Sequence, residues 1–497
     1  MRKHFLTTAL VLGTTATAWA GGFLTNSNQN AAFLRNPARD GYIAIDGCYY
    51  NPAGVGFMSE GWHMGFDIQS AYQTRTVETF FPFFQGGIVN GIAGGQNQEK
   101  KFEGKASAPV IPSIDLARVG KRWFATLHFG ITGGGGKCEF DRGLGSFENV
   151  VGSIAYKLNG LGVSAYDVNG YMKGRQYYYG FTLGAAYKVS DNFSVYGGLR
   201  LLYGSASYQA KLSDIQVKTA DGMVAFDKFV DASTATVIGG LAQVNAGIEQ
   251  LKAAGIPESN AMYQELLAKQ QTLMGAEQQL NMLEPYKNGV NLMSDQTGWG
   301  VAPIIGVDYK TGKFNFAAKY EFKTRMRMKN KSTVKEASII PAINKFVDGS
   351  SVAEDSPALL TVGAQYEILP SLRVMAGWHH YFDQDTKQWT KEMLDDSNEY
   401  LLGAEWDINK VVSVSAGGQR TKYGMKDAGM NDMSFNVSSY SFGFGVGVNV
   451  TEKVKINAAY FQTLYDDYNK VTSESPRVSD SFTRTNRVLG LGVNFTL

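Results

Sequence analysis

The residues best suited to metal or acid–base chemistry are few in this chain of 497 residues: five histidines and two cysteines. The densest set is His379, His380, Asp383 and Asp385. Its surroundings alternate like a strand, and neighbouring strand residues point to opposite faces, so the two histidines cannot ligate one metal ion together. No Ser/His/acid set accompanies them, so no catalytic residue, metal ligand or cofactor is assigned. Cys48 and Cys138 fit no zinc spacing. On an oxidising export route a Cys48–Cys138 disulfide is the alternative to two buried free thiols. A second kind of chemistry is electrostatic. Arg200, Lys319 and Lys323 occupy the less apolar face of alternating segments, where they are candidate contacts for an anionic head group such as a carboxylate. Salt bridges with Glu321, Glu405 and Asp407 are the competing use of the same cations.

The elements that must position these residues are strands. The composition, with 57 glycines, 29 Phe, 26 Tyr and 7 Trp, combines aromatic outer faces with positions that demand small side chains. Net charge of +2 gives no reason to expect a nucleic-acid partner. Residues 1–20 read as a secretory signal: Arg2, Lys3 and His4, an apolar run, then Ala18-Trp19-Ala20 as a small-x-small cleavage site. Beyond it no window is long and apolar enough for a membrane helix. Instead, Ser439–Val450 alternates Tyr440, Phe442, Phe444, Val446, Val448 and Val450 against Ser, Gly and Asn. Residues 177–189 and 489–497 do the same.

Fourteen such segments follow one another, at about 62–77, 108–119, 122–132, 176–189, 192–212, 297–310, 313–329, 356–368, 371–384, 396–408, 410–424, 435–450, 453–466 and 483–497. Tight turns (Gly120-Lys121, Thr311-Gly312, Asn409-Lys410) alternate with long links. An even strand number, with short turns at one end and long loops at the other, specifies an all-β fold, a transmembrane antiparallel β-barrel of about fourteen strands. The third long link, about 213–296, departs from the pattern. Leu241, Val244, Ile248 and Leu251, then Met262, Leu266, Leu273 and Leu280, recur at helical spacing around a break at Gly255-Ile256-Pro257. Two helices over the outer mouth are expected. Leu241, Ile248, Leu266 and Leu273 are candidates for an apolar loop groove, unless the two stripes pack on each other.

One stretch remains, residues 21–61. It is apolar, holds Asn-Pro-Ala twice (Asn36-Pro37-Ala38 and Asn51-Pro52-Ala53), and alternates nowhere. Its prolines would interrupt a helix or a ladder. The expected arrangement is a signal peptide at 1–20, a plug or hatch inside the lumen at 21–61, and the barrel at 62–497.

The segment FLRNPARDGYIAIDGCYYNPAGVGF resembles the N-terminal hatch of the FadL/TodX family of outer-membrane transporters for hydrophobic compounds. Asn51, Pro52 and Ala53 stand where that family carries its Asn-Pro-Ala, and Asp355–Gly363 resembles the strand after its fourth long loop. The final Phe495-Thr496-Leu497 departs from the usual terminal aromatic, and Asn36-Pro37-Ala38 lies outside the pattern. The resemblance implies a monomer in the bacterial outer membrane, touching lipid and lipopolysaccharide, with both termini periplasmic. Its expected cargo is a long-chain fatty acid or other hydrophobic small molecule, taken up passively from a loop groove to a lumen pocket. Exit would follow hatch movement or a strand irregularity, for which Gly133-Gly134-Gly135-Gly136 is the candidate. The competing readings are a general porin for polar solutes and an outer-membrane binding protein or adhesin.

Overall fold

The computed structural model describes residues 25–84, 88–89, 92–93, 98–336 and 341–497. The expected signal peptide and residues 21–24 lie outside them. Fourteen barrel strands follow in chain order: β1 Gly61–Phe80, β2 Glu99–Val119, β3 Trp123–Phe140, β4 Ala165–Lys188, β5 Phe193–Thr219, β6 Val290–Thr311, β7 Phe314–Glu321 continued by Arg327–Ser332, β8 Leu359–Leu369, β9 Leu372–Tyr381, β10 Ser397–Asp407, β11 Val412–Lys422, β12 Ser439–Thr451, β13 Val454–Tyr465 and β14 Arg477–Thr496. Each pairs antiparallel with the next. The ring closes where β1 pairs with β14 from His63↔Thr496 to Phe80↔Ser479. Closure removes the two terminal edges of the sheet.

Alternation governs which side chains face out of the barrel. Along β6, Trp299, Val301, Ile305, Val307 and Tyr309 are exposed, while Ala302, Ile304 and Asp308 are buried. Trp299 and Tyr309 stand ten residues apart, about 33 Å along a strand and about 25 Å of height at the usual tilt, which matches an apolar band between two aromatic girdles. Ring pairs mark both levels: Trp123–Tyr187 at 4.7 Å and Phe314–Tyr366 at 4.5 Å near the tight turns, Tyr203–Trp299 at 4.5 Å nearer the long loops.

The expected phase fails at one place. β7 is interrupted between Glu321 and Arg327, and the alternation slips by one residue there. Asn315, Lys319 and Glu321 are buried, but Arg325 and Arg327, which continue the same period of two, are exposed and Thr324, Met326 and Met328 take the inner side. Lys323 lies at the break, its amine donating to Asp385 O at 2.7 Å.

The long-loop end is closed by protein. Helix α1 (Ala31–Arg35) belongs to the N-terminal segment; helix α2 (Gly145–Lys157) sends Phe147, Val151 and Ile154 into a large apolar core with Phe81, Phe84, Phe140, Tyr166, Met328 and Phe346. The third link folds as two helices, α3 Phe226–Ala253 and α4 Ala261–Leu283, the second capped by Asn260, whose side chain accepts from Met262 N. Short strands Gly222–Ala225, Ser351–Ala353 and Tyr468–Glu474 extend the sheet into the loops.

Candidate functional site

Residues 25–58 are almost wholly buried, and they are surrounded by the inward faces of strands from every side of the ring. Local structure follows from residue types. Asn30 caps a five-residue helix, Ala31–Arg35, by accepting from Phe33 N at 3.0 Å. Pro37 then disfavours helical geometry at Asn36 and ends it. Both Asn-Pro-Ala tripeptides do two jobs with one amide. Asn36 Oδ1 accepts from Ala38 N at 3.1 Å, and Asn51 Oδ1 from Gly54 N at 3.0 Å, each stabilising a turn. The opposite end of each amide reaches the wall: Asn51 Nδ2 donates to Asp308 Oδ2 at 2.6 Å, and Asn36 Nδ2 lies 3.5 Å from Met375 Sδ. Ala53 O accepts from Ser194 Oγ at 2.6 Å, and Pro52 packs near Gly306.

On the β8–β14 side the fit depends on glycine. A Cβ on Gly363 or Gly377 would strike Asp40, one on Gly403 would strike Asn36, and one on Gly443 would strike Leu34 O. Gly417 leaves room for Pro37, and Gly490 for Ala31 and Leu34. Into this recess the segment sends a buried ionic network. Arg35 Nη2 meets Glu405 Oε2 at 3.0 Å, and its remaining donors reach Ser415 Oγ at 3.0 Å and Asn457 Oδ1 at 2.5 Å. Tyr42 OH donates to Glu405 Oε1 at 2.7 Å, and Arg373 bridges Glu405 and Asp407. Arg39 holds Asp46 through two bonds of 2.7 and 2.8 Å within the segment and stacks over Tyr42. Buried charges are tolerated only when paired and saturated in this way.

Two of the three candidate head-group cations are consumed by the same packing. Arg200 pairs with Glu321, and Lys319 Nζ lies 2.7 Å from Glu321 Oε1 and 2.7 Å from Tyr49 O. Both sit close to the Tyr49 ring. Arg200 and Lys319 thus anchor the segment rather than stand free for a head group, and Lys323, half-buried at the break in β7, donates to a loop carbonyl. The disulfide is corrected: Cys48 and Cys138 are both free and buried, Cys48 with its sulfur 3.6 Å from Leu116 O. Burial, with Asp115 and Asp46 nearby, pushes the Cys48 thiol well above its usual range, so it is held as an inert thiol.

On the opposite side the wall itself is broken. β2 and β3 pair from Val119↔Phe124 to Ile114↔Phe129 and again at Lys105↔Glu139, but not between. Over residues 106–113 β2 stays beside β1, with a register shift that leaves Pro109 and Val110 without partners, while β3 bends away. The bend is made by the glycine run: the β3–β4 register shifts between Ile131 and Gly136, with Gly134 at φ +92° and Gly136 at φ +65°. The groups that β3 withdraws from β2 are taken up by the N-terminal segment. Thr25 bridges Gly133, Asn26 N donates to Thr132 O at 2.9 Å, and Asn26 Nδ2 to Ile131 O at 2.8 Å. Gln29 Nε2 adds a bond of 3.1 Å to Ile131 O. β2 meets the gap with Pro109 and Pro112, which have no N–H to leave unpaired. Ala71, Ala106, Ser107, Ala108 and Gly136, with the longer Gln73 and Lys137, line the cleft that results.

The expected groove on the helical link is absent because the helices use their apolar stripes on each other. Ile248 is buried with Val244 and Tyr263, and Leu266 and Leu273 pack against that cluster. Leu266 sits over Gly247 and Leu273 over Gly240, while Leu241 is half-buried. A cavity of about 540 Å³ lies elsewhere at the long-loop end, walled by Val352, Trp389, Met393, Met430, Met433 and Val478, with Glu354, Asp432, Lys345 and Lys470 around it. That is within the range of small-molecule sites. Burial and the adjacent Asp480 raise the Asp432 carboxyl above the ordinary carboxylate range, and burial raises Glu354 as well. His379 and His380 point to opposite faces, as alternation requires: His379 is inside, between Asp40 and Glu399, and His380 lies near Asn398 and Asp396. Among the described residues no group of three or more His, Cys, Asp and Glu is placed to hold a metal.

No family model matches the chain, and no curated protein matches it. Solved structures do. The crystal structure of a Pseudomonas aeruginosa FadL homologue superposes with a TM-score of 0.61 at 12% identity, covering 96% of this chain and 100% of that one. The P. putida toluene transporter TodX gives 0.51 at 12% identity, covering 92% and 99%. The likeness extends over most of the chain, and it fixes the architecture: the chain has the fold of the FadL/TodX-type outer-membrane channels.

Proposed function

We propose that the protein is a passive channel of the bacterial outer membrane that takes up hydrophobic compounds, long-chain fatty acids or hydrocarbons of the toluene class among them. In this reading both termini face the periplasm and the long loops face outward. Residues 25–60 act as a plug that denies the lumen to water-soluble molecules. A hydrophobic molecule is received in the methionine-rich cavity between the outer loops, since Met and Trp walls adapt to apolar shapes. It leaves sideways through the β2–β3 cleft into the bilayer. The observation that carries the reading is the break in the β2–β3 ladder, with β3's freed backbone groups bonded to residues 25–29. In a membrane wall unpaired backbone is costly, so a gap sealed by a removable segment fits a gate better than a defect.

A porin for sugars or ions is disfavoured because ionic and aromatic contacts hold the segment across the space such solutes need. A test follows from the cleft. Cysteines placed at Ser107 and Lys137, joined by a short cross-linker in the folded protein, should suppress vesicle uptake of labelled toluene and oleate, and reduction of a cleavable linker should restore it. Unchanged uptake with the staple in place would rule out the lateral route.

A further inference from the structure

His379 is a buried titratable group that this uptake route leaves without a task, and its setting is unusual. Its Nε2 lies 2.9 Å from Asp40 Oδ2, on the inner segment, and its Nδ1 lies 2.9 Å from Glu399 Oε2, on β10. All three side chains are buried. A neutral imidazole has one N–H and one lone pair. Between two ionised carboxylates, that lone pair would face an acceptor. The geometry therefore demands one more proton: an imidazolium, or a neutral ring with one carboxyl protonated.

We propose that His379 is a proton-dependent latch that fastens the inner segment to the wall, closed while the Asp40–His379–Glu399 triad holds this extra proton and loosened when it is lost. Glu399 is fixed from the wall: Tyr381 OH donates at 2.7 Å and Thr421 Oγ1 at 2.9 Å, and Gln419 Nε2 donates as well. Ser27 Oγ, from the start of the segment, reaches the same carboxylate at 3.4 Å, so one wall residue ties two points of the segment. The Asp40 side has no such support. Its Oδ1 is buried without a hydrogen-bond partner, and glycines Gly363 and Gly377 crowd it from behind. The remaining ionisable groups close to the triad are Tyr49 of the segment, Tyr381 beside the ring, and Tyr423 beyond β11. The cations Arg200 and Lys319 are already paired with Glu321. Loss of the proton thus leaves a ring lone pair against Asp40, and Asp40, lacking other donors, is the member that separates.

The inference rests on the reading of residues 25–60 as a plug, and the experiment separates the two. The full-length protein and its variants are placed in vesicles, with heat-modifiable migration as the check on folding, and swelling in arabinose is followed from about pH 7 to about pH 11, because a proton held between an imidazole and two carboxylates is released only well above the pH at which a free imidazole titrates. The wild type should be tight at the acid end and leak at least about fivefold more at the alkaline end, a change of the size a single interaction controls. His379→Gln should leak at both ends. Asp40→Asn should be tight at both, because its amide can donate to a neutral ring. Two results would overturn the latch: a wild type as tight at the alkaline as at the acid end, or a tight His379→Gln beside a leaky deletion of residues 21–60. A deletion that does not leak would instead overturn the plug.

Discussion

The inner segment meets the barrel in two different ways. Against β8–β14 the contact is between side chains: Arg35 on Glu405, Asp40 on His379, and turns seated on Gly403, Gly417 and Gly443. Against β3 it is largely backbone completion, in which Thr25 and Asn26 substitute for a missing neighbour strand. The first contact is shape-specific and charged, and the ladders behind it are unbroken except for register shifts near the tight turns at Glu367–Leu369 and Asn449–Thr451. The second repairs a broken ladder next to a cleft. On the proposed function, the firmly anchored side would hold the segment in the lumen while the substitutable side uncovers one part of the wall.

That contrast can be broken from either end. Deleting residues 21–60 removes both contacts, and arabinose permeability in vesicles should rise by about 100-fold, because an emptied barrel of this strand number encloses an aqueous channel. Arg35→Ala attacks the anchored side alone. It leaves Glu405 to Arg373 and Tyr42 and should cost about 3–5 kcal/mol, the range for breaking a buried pair, seen as early protease cleavage of the segment in the folded barrel. Gly403→Ala works on the same side by overlap with Asn36 and should cost about 1–3 kcal/mol by overpacking, measured by the same cleavage assay. On the substitutable side, removing Gly134 and Gly135 to straighten β3 should lower hydrophobe uptake about tenfold without raising arabinose leak, a change equal to about 1.4 kcal/mol in the opening equilibrium.

The smallest effect is expected where neither contact is involved. Asp432 in the outer-loop cavity has its carboxyl raised by burial and by Asp480. The folded state then binds a proton more tightly than the unfolded one, so loop packing is firmest at low pH. It weakens from about pH 4, the ordinary carboxylate value, upward to the raised folded value. Asp432→Asn should flatten this dependence in a loop-proteolysis profile and leave permeability unchanged.

Strand number, turn positions and the helical link could be read from the sequence because a lipid-facing wall enforces strict alternation, as in Ser439–Val450. The slip in β7 could not, since Lys323, Arg325 and Arg327 keep the same spacing as Lys319 whichever way the chain turns at 322–326. The glycine run in β3 was a legible signal for an irregularity. Pro109 and Pro112 were an equally good one that went unread: prolines in a strand mark an edge, and β2 is the edge facing the gap. Head-group cations were misassigned because partners 121 residues apart in sequence, as Arg200 and Glu321 are, leave no local trace. The helix stripes misled for the opposite reason. Helical spacing reports an apolar face and says nothing about whether a second helix already covers it, as α4 covers α3 through Leu266 and Leu273.

The central claim is passage of apolar molecules through a barrel closed to polar ones. Vesicles containing the purified full-length protein, offered labelled toluene and labelled arabinose side by side, test it most directly. The account predicts protein-dependent, saturable entry of toluene with arabinose held at the rate of empty vesicles. Arabinose entering at a rate linear in its concentration, with toluene no faster than in protein-free vesicles, would contradict it.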